Sequence, residues 1–174
     1  MAQQLETSDD LLALTAEQLL REALLFRVDI SVLSSDEGQV LWNSEVTKIT
    51  IPGRTVSVGL EGSGSRLTVR LTLYPSDESK KDEGYILVAQ SEIFVGEEYS
   101  SSLSSLPVAP HDEVYYYPLG RNDQENASSA YEVRMILSTT PYWETLDEQD
   151  RRVLESAVDS SVQFDLTEKE PSVP

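Results

Sequence analysis

The sequence has no cysteine and only one histidine, and these two scarcities remove more chemistry than its abundant residues supply. Without thiols there is no disulfide framework, thiolate zinc site, iron–sulfur cluster or cysteine nucleophile. With a single imidazole a multi-histidine metal site is impossible, and a Ser-His-Asp triad must use His111 or be absent. His111 stands between Pro110 and Asp112 in an expected loop, where an exposed histidine is the plain reading. Long apolar runs are missing too. The longest, Tyr85 to Ala89, has five residues, whereas a membrane helix needs roughly 18.

Basic residues are also few: 13 Lys and Arg stand against 31 Asp and Glu, for a net charge of −18. The only basic doublets are Lys80/Lys81 and Arg151/Arg152, so nucleic acid and anionic membrane surfaces make poor partners. Such acidity usually serves solubility; a basic protein partner, calcium binding or DNA mimicry are its other uses. Residues 1–10 lack the basic start and apolar stretch of a signal peptide. The expected compartment is therefore the cytoplasm, or the periplasm or exterior if a leader has been removed.

What remains is a chain of 174 residues, which fits one domain with about 70% of its unfolded surface buried. Thr15-Ala16-Glu17-Gln18 has the capping-box form and precedes Leu19, Leu20, Ala23 and Leu24, predicting a helix over 15–25. Ahead of it, 1–14 reads as a flexible arm or partial helix. From Phe26 the period changes from 3.6 to 2, with Phe26, Val28, Ile30 and Val32 on one face of a half-buried strand. A turn at residues 34–38 leads to a second strand through Val40, Trp42 and Val46, expected to break or bulge before Ile49. Val56, Val58 and Leu60 form the next. The four residues from Gly62 to Ser65 then make a hairpin turn into Leu67, Val69, Leu71 and Leu73. Residues 85–95 are apolar on both faces at first, which suits a central strand. Val114 to Tyr117 and Tyr131 to Leu137 complete about seven strands.

Residues 96–112 hold a run of serines and two prolines, and read as a crossover or mobile arm rather than as core. Thr145-Leu146-Asp147-Glu148 repeats the capping-box form and predicts a helix over 146–159. Beyond it a polar tail over 161–174 should fray. The expected fold is mainly β, an antiparallel β-sandwich or open barrel with short flanking α-helices at the two ends, forming a single domain over 15–160. The long connection after the central strand suggests a Greek key.

The motifs carry little chemistry. Gly59 to Gly64 joins two strands and has no phosphate-loop pattern. Asp77, Glu78, Asp82 and Glu83 crowd one loop, but Lys80 and Lys81 sit among them, and calcium is the lesser reading beside a solvated loop. Asn126-Ala127-Ser128 matches a glycosylation acceptor, a match that chance often produces. The aromatics suggest more. Tyr115, Tyr116 and Tyr117 on one strand must place two rings on one face and one on the other, and Tyr99, Tyr131, Tyr142 and Trp143 could extend a contact surface.

These observations lead to an expected non-enzymatic domain with no cofactor or metal, binding another protein as an accessory or scaffolding part of a larger assembly. Its candidate surface is Tyr115, Tyr116 and Tyr117 together with Leu103, Leu106 and Val108, which are spaced to order as an extended arm on a partner. The alternative is a carbohydrate or small-ligand module in which Trp42, Trp143 or the tyrosines stack on a sugar. A third class, a hydrolase, would need a carboxylate pair that the sequence does not single out.

Overall fold

Thr15 is extended and its hydroxyl accepts the Gln18 N–H at 3.2 Å, while the Gln18 side chain accepts the Thr15 N–H, so the capping box closes. The computed structural model describes residues 14–34, 38–62, 64–76, 84–121 and 131–167, the side chains of 161–167 excepted. In it this box starts α1 (Ala16–Arg21), shorter than the predicted 15–25. The helix ends early because Leu24 already belongs to the alternation Leu24, Phe26, Val28, Ile30, each at most 2% exposed in β1 (Leu24–Ser34).

Among the described residues eight strands follow one another: β1, β2 (Val40–Thr50), β3 (Thr55–Gly62), β4 (Ser65–Pro75), β5 (Tyr85–Val95), β6 (Glu98–Val108), β7 (Glu113–Tyr116) and β8 (Tyr131–Pro141). They form two antiparallel sheets of four, ordered β2-β1-β8-β7 (sheet I) and β3-β4-β5-β6 (sheet II). The result is a sandwich, as the alternation predicted. The Greek key is not found: every strand that pairs does so with its chain neighbour, except that β8 returns to lie beside β1. Local reversals favour this meander: two residues separate β3 from β4 and β5 from β6, and five separate β1 from β2, which leaves little reach beyond the neighbour, while β5 and β8 return beside β4 and β7 over longer connections.

The strand missing from the expected seven is β6. Residues 96–112 are not a loose crossover: eleven register pairs bind Glu98–Val108 to β5, from Val95↔Glu98 to Tyr85↔Val108. Gly96 explains the difference. With φ of 60° followed by Glu97, it supplies the Gly-x connection of a two-residue II′ hairpin, which fixes the register before the serines are reached. Serine lacks the packing of a β-branched residue but places no charge or bulk against the ladder, and the preformed hairpin settles the outcome.

Two further details depart from expectation. Strand β2 runs unbroken to Thr50, and its irregularity lies at the other end, where Val32 faces Trp42 but Leu33 faces Val40, leaving Leu41 as the bulged residue. At the C-terminal end, Thr145 closes α2 (Tyr142–Thr145) by donating to the Tyr142 carbonyl at 2.7 Å. Asp147 is the residue that caps α3 (Glu148–Thr167), its carboxylate accepting the Asp150 N–H at 2.8 Å. The α3 backbone stays helical through 160–167, where a frayed tail was expected. Residues 1–13 and 168–174, the acidic cluster at 77–83 and the Asn126-Ala127-Ser128 match lie outside the described residues.

The core fills the space between the sheets. Phe26, Val28 and Ile30 from β1 and Met135 and Leu137 from β8 meet Val69, Leu71, Leu87 and Ala89 from β4 and β5, all at most 1% exposed. Each of these side chains except the small Ala89 contributes roughly 1.5–3 kcal/mol by leaving water. A smaller cluster of Leu14, Ala23 and Ile51, with Leu19, Ile49 and Tyr142 against it, seats the helices at one end. Two turns carry the chain between sheets, at Ile51–Arg54 and Ala109–Asp112, each closed by an i to i+3 backbone bond.

Candidate functional site

Of the six residues predicted to form a binding surface, the strands bring only some to the surface, and they divide them between opposite faces. In β7, Tyr115 is 51% exposed on the outer face of sheet I opposite Ile136, whereas Tyr116 turns inward against Met135 and is 5% exposed. Tyr117, half-buried after the strand, lies under the Arg121 guanidinium at 5.1 Å. In β6, Val108 is buried and Leu106 packs against the core, while Leu103 points outward and is 71% exposed. Alternation imposes this split, because residues 103, 106 and 108 do not share a parity. The binding-arm reading of 96–112 is corrected with it: the segment is already a strand.

Leu103 has neighbours that the sequence reading passed over. The pairing places Phe94 beside Tyr99 across the hairpin, with ring centroids 4.8 Å apart, and both are exposed on the face that carries Leu103. Register pairs continue this outer face across sheet II through Arg70, Gln90 and Leu103, and through Thr72, Val88 and Ser105. Its charges cancel within it: Arg66 pairs with Glu61, and Arg70 with Glu92 at 2.6 Å. A self-neutral strip with an aromatic pair and a protruding leucine is therefore set into a chain of net charge −18. The readable signal was Val95-Gly96-Glu97-Glu98, a Gly-x hairpin turn between strand formers.

Beneath this face the edge strand is pinned. Ser91, 3% exposed, donates to the Pro118 carbonyl at 3.1 Å, and the Ser102 hydroxyl, 2.6 Å away, donates to Ser91. The segment after β7 thereby closes the gap between the sheets under β6. On the outer face of sheet I the exposed Arg27 lies between Asp29 and Glu45, at 3.1 and 3.0 Å. The hydrogen bond and charge of Asp29 first, and the charge of Glu45 after it, raise the guanidinium pKa above its ordinary value.

The remaining candidates are dispersed. Trp42 is on the inner side of β2, partly buried against the core, and Trp143 in α2 lies beneath the Arg151 guanidinium at 5.0 Å. His111 is exposed, with Nε2 3.3 Å from a Glu144 carboxylate oxygen. Among the described residues no three histidine, aspartate or glutamate side chains are grouped to hold a metal ion, and no helix is long and apolar enough to cross a membrane. Compared with models of known protein families, with characterised proteins and with solved structures, the chain matches none.

Proposed function

We propose that this chain is a non-enzymatic interaction domain, an accessory or scaffolding part that binds protein through the open edge and outer face of sheet II at β6. The supporting observation is the exposure of Leu103, Tyr99 and Phe94 along a sheet edge that no described strand pairs with. Strand edges of this kind bind by main-chain pairing, with side chains of alternate residues giving selectivity.

A photo-crosslinking residue placed at Leu103, in the cells that make the protein, tests the reading against the same residue placed at Tyr115 on the opposite face. Protein adducts at 103 and few at 115 are the expected result. No adduct at 103, or equal yields at both, sinks the proposal.

A further inference from the structure

A two-sheet sandwich has four terminal strands, and β6 differs from the other three. Long, flat edges are normally blunted by charges, bulges or shortness, since an open ladder recruits other chains. Strand β2 is bulged at Leu41 and carries Glu45 and Lys48. Strand β7 has four residues, and β3 has eight and ends in Glu61 and Gly62. Strand β6 has eleven, in unbroken register, with no charged residue from Tyr99 to Val108.

Pro107 fixes which groups this edge offers. It stands opposite Ile86, and a proline within a ladder turns its nitrogen to the unpaired side. Antiparallel alternation then points the N–H and C=O groups of Tyr99, Ser101, Leu103 and Ser105 away from β5. Serines flank Leu103 on both sides, Ser101 and Ser102 before it and Ser104 and Ser105 after it, so a two-fold axis there sets serine opposite serine; the symmetry stops at Ser100 and Leu106.

We propose that two copies of this chain pair antiparallel through β6, about a two-fold axis at Leu103, joining their sheets II into one continuous sheet. The proposal rests on reading the β6 edge as an interaction surface and names its occupant. In this register Leu103 faces Leu103 of the second copy, and Ser101 exchanges both of its backbone bonds with Ser105 of that copy. Tyr99 donates to the carbonyl of the second copy's Pro107, giving about eight main-chain bonds in all. A register shifted two residues toward the hairpin also makes about eight bonds but sets each Leu103 opposite Ser101, so the apolar contact of Leu103 with Leu103 of the second copy is what favours the axis at Leu103. Charge permits a like partner at this place, because the contacting strip is uncharged and Arg66, Glu61, Arg70 and Glu92 behind it cancel in pairs. The rest of the −18 surface repels its copy, so added salt tightens the dimer, opposite to the weakening that a basic partner would show.

Sedimentation of the full chain over a range of protein and salt concentrations is the first measurement. We expect a monomer–dimer equilibrium that tightens with salt and weakens ten-fold or more in Leu103→Lys, which sets like charges opposite each other. In Ser101→Pro the lost N–H points away from β5; it should weaken the dimer similarly while the melting temperature of the monomer stays close to that of the parent. Because the chain has no cysteine, Ser101→Cys and Ser105→Cys proteins report the register: mixed, they should crosslink to each other, while Ser101→Cys alone should not, its thiols lying four residues apart along the ladder. A chain that stays monomeric at all concentrations and salts, or a dimer indifferent to Leu103→Lys and Ser101→Pro, overturns the self-pairing, and crosslinking of Ser101→Cys to itself overturns the axis at Leu103. The photo-crosslinker at 103 separates the two proposals: an adduct of twice the chain's mass fits both, whereas an adduct with a different protein from a monomeric chain keeps the interaction surface and overturns the self-pairing.

Discussion

Gly53 and His111 hold the same position in the same turn. Each follows a proline, each has positive φ (85° and 69°), and each donates its N–H to the second strand onward, Gly53 to Leu73 at 2.8 Å and His111 to Thr139 at 2.7 Å. The two crossings between the sheets are thus type II reversals with proline at the second place, one with glycine at the third and one with a histidine standing in for it.

That equivalence predicts the response to substitution. Gly53→Val forces a β-branched residue into left-handed backbone and should cost about 1–2 kcal/mol or more. His111→Gly removes the same strain but adds unfolded-state entropy and loses the Glu144 contact, so its net change should stay within about 1 kcal/mol. Urea unfolding of the two variants checks the ordering; equal losses would mean that the turn does not demand positive φ.

The alternation along β5 and β6 makes two leucines behave oppositely. Leu87 is fully buried and Leu103 is 71% exposed. Leu87→Ala should cost about 2–5 kcal/mol through lost burial and a cavity, and Leu103→Ala within about 0.5 kcal/mol. Denaturant midpoints of the monomer measure both. A large loss at 103 would show that it is packed.

Ser91 links three segments through one hydroxyl. Ser91→Ala removes the donor to the Pro118 carbonyl and the acceptor for Ser102, and should destabilise by about 1–3 kcal/mol. Ser102→Ala should cost less, since Ser91 keeps its bond to Pro118. A double-mutant cycle reads the coupling; additive losses would mean that the hydroxyls do not interact.

Arg27 gives a sign that can be checked. Its folded-state pKa is raised, by Asp29 first, so its contribution is present below the ordinary guanidinium value and is lost only as pH rises through the still higher folded one. That window lies above the neutral range. The melting-temperature difference between the protein and Arg27→Gln should therefore stay flat between about pH 6 and 9; a decline across that interval would contradict it.

The sandwich was legible wherever period 2 was clean. Leu67, Val69, Leu71 and Leu73 announced β4 and its inward face, and Thr15 with Gln18 announced the start of α1. Elsewhere composition misled. The serines of β6 resemble a loop by residue type, and only the two-residue turn at Gly96 and Glu97 shows them to be a ladder. Leu41 is read as one more strand residue because a bulge is set by how two strands share a register, which no single segment reveals. The candidate surface suffered the same way. Tyr115 and Tyr116 are adjacent in sequence and opposite in space, and Phe94 meets Tyr99 only once the hairpin closes.

The meander also orders events during synthesis. Sheet II is built from four consecutive strands joined by local reversals, so it can form as soon as β6 leaves the ribosome. Sheet I cannot, because the partner of β1 on its inner flank is β8, roughly a hundred residues later, and closing so long a loop is slow. The early hairpin of β1 and β2 therefore waits with its apolar side covered only by sheet II, and translation must run almost to the end before the halves lock. A ribosome stalled between β6 and β8 would display a half-built sandwich in which β1, an inner strand of the finished sheet, is an additional open ladder, which is the state in which such a nascent chain is most dependent on a chaperone.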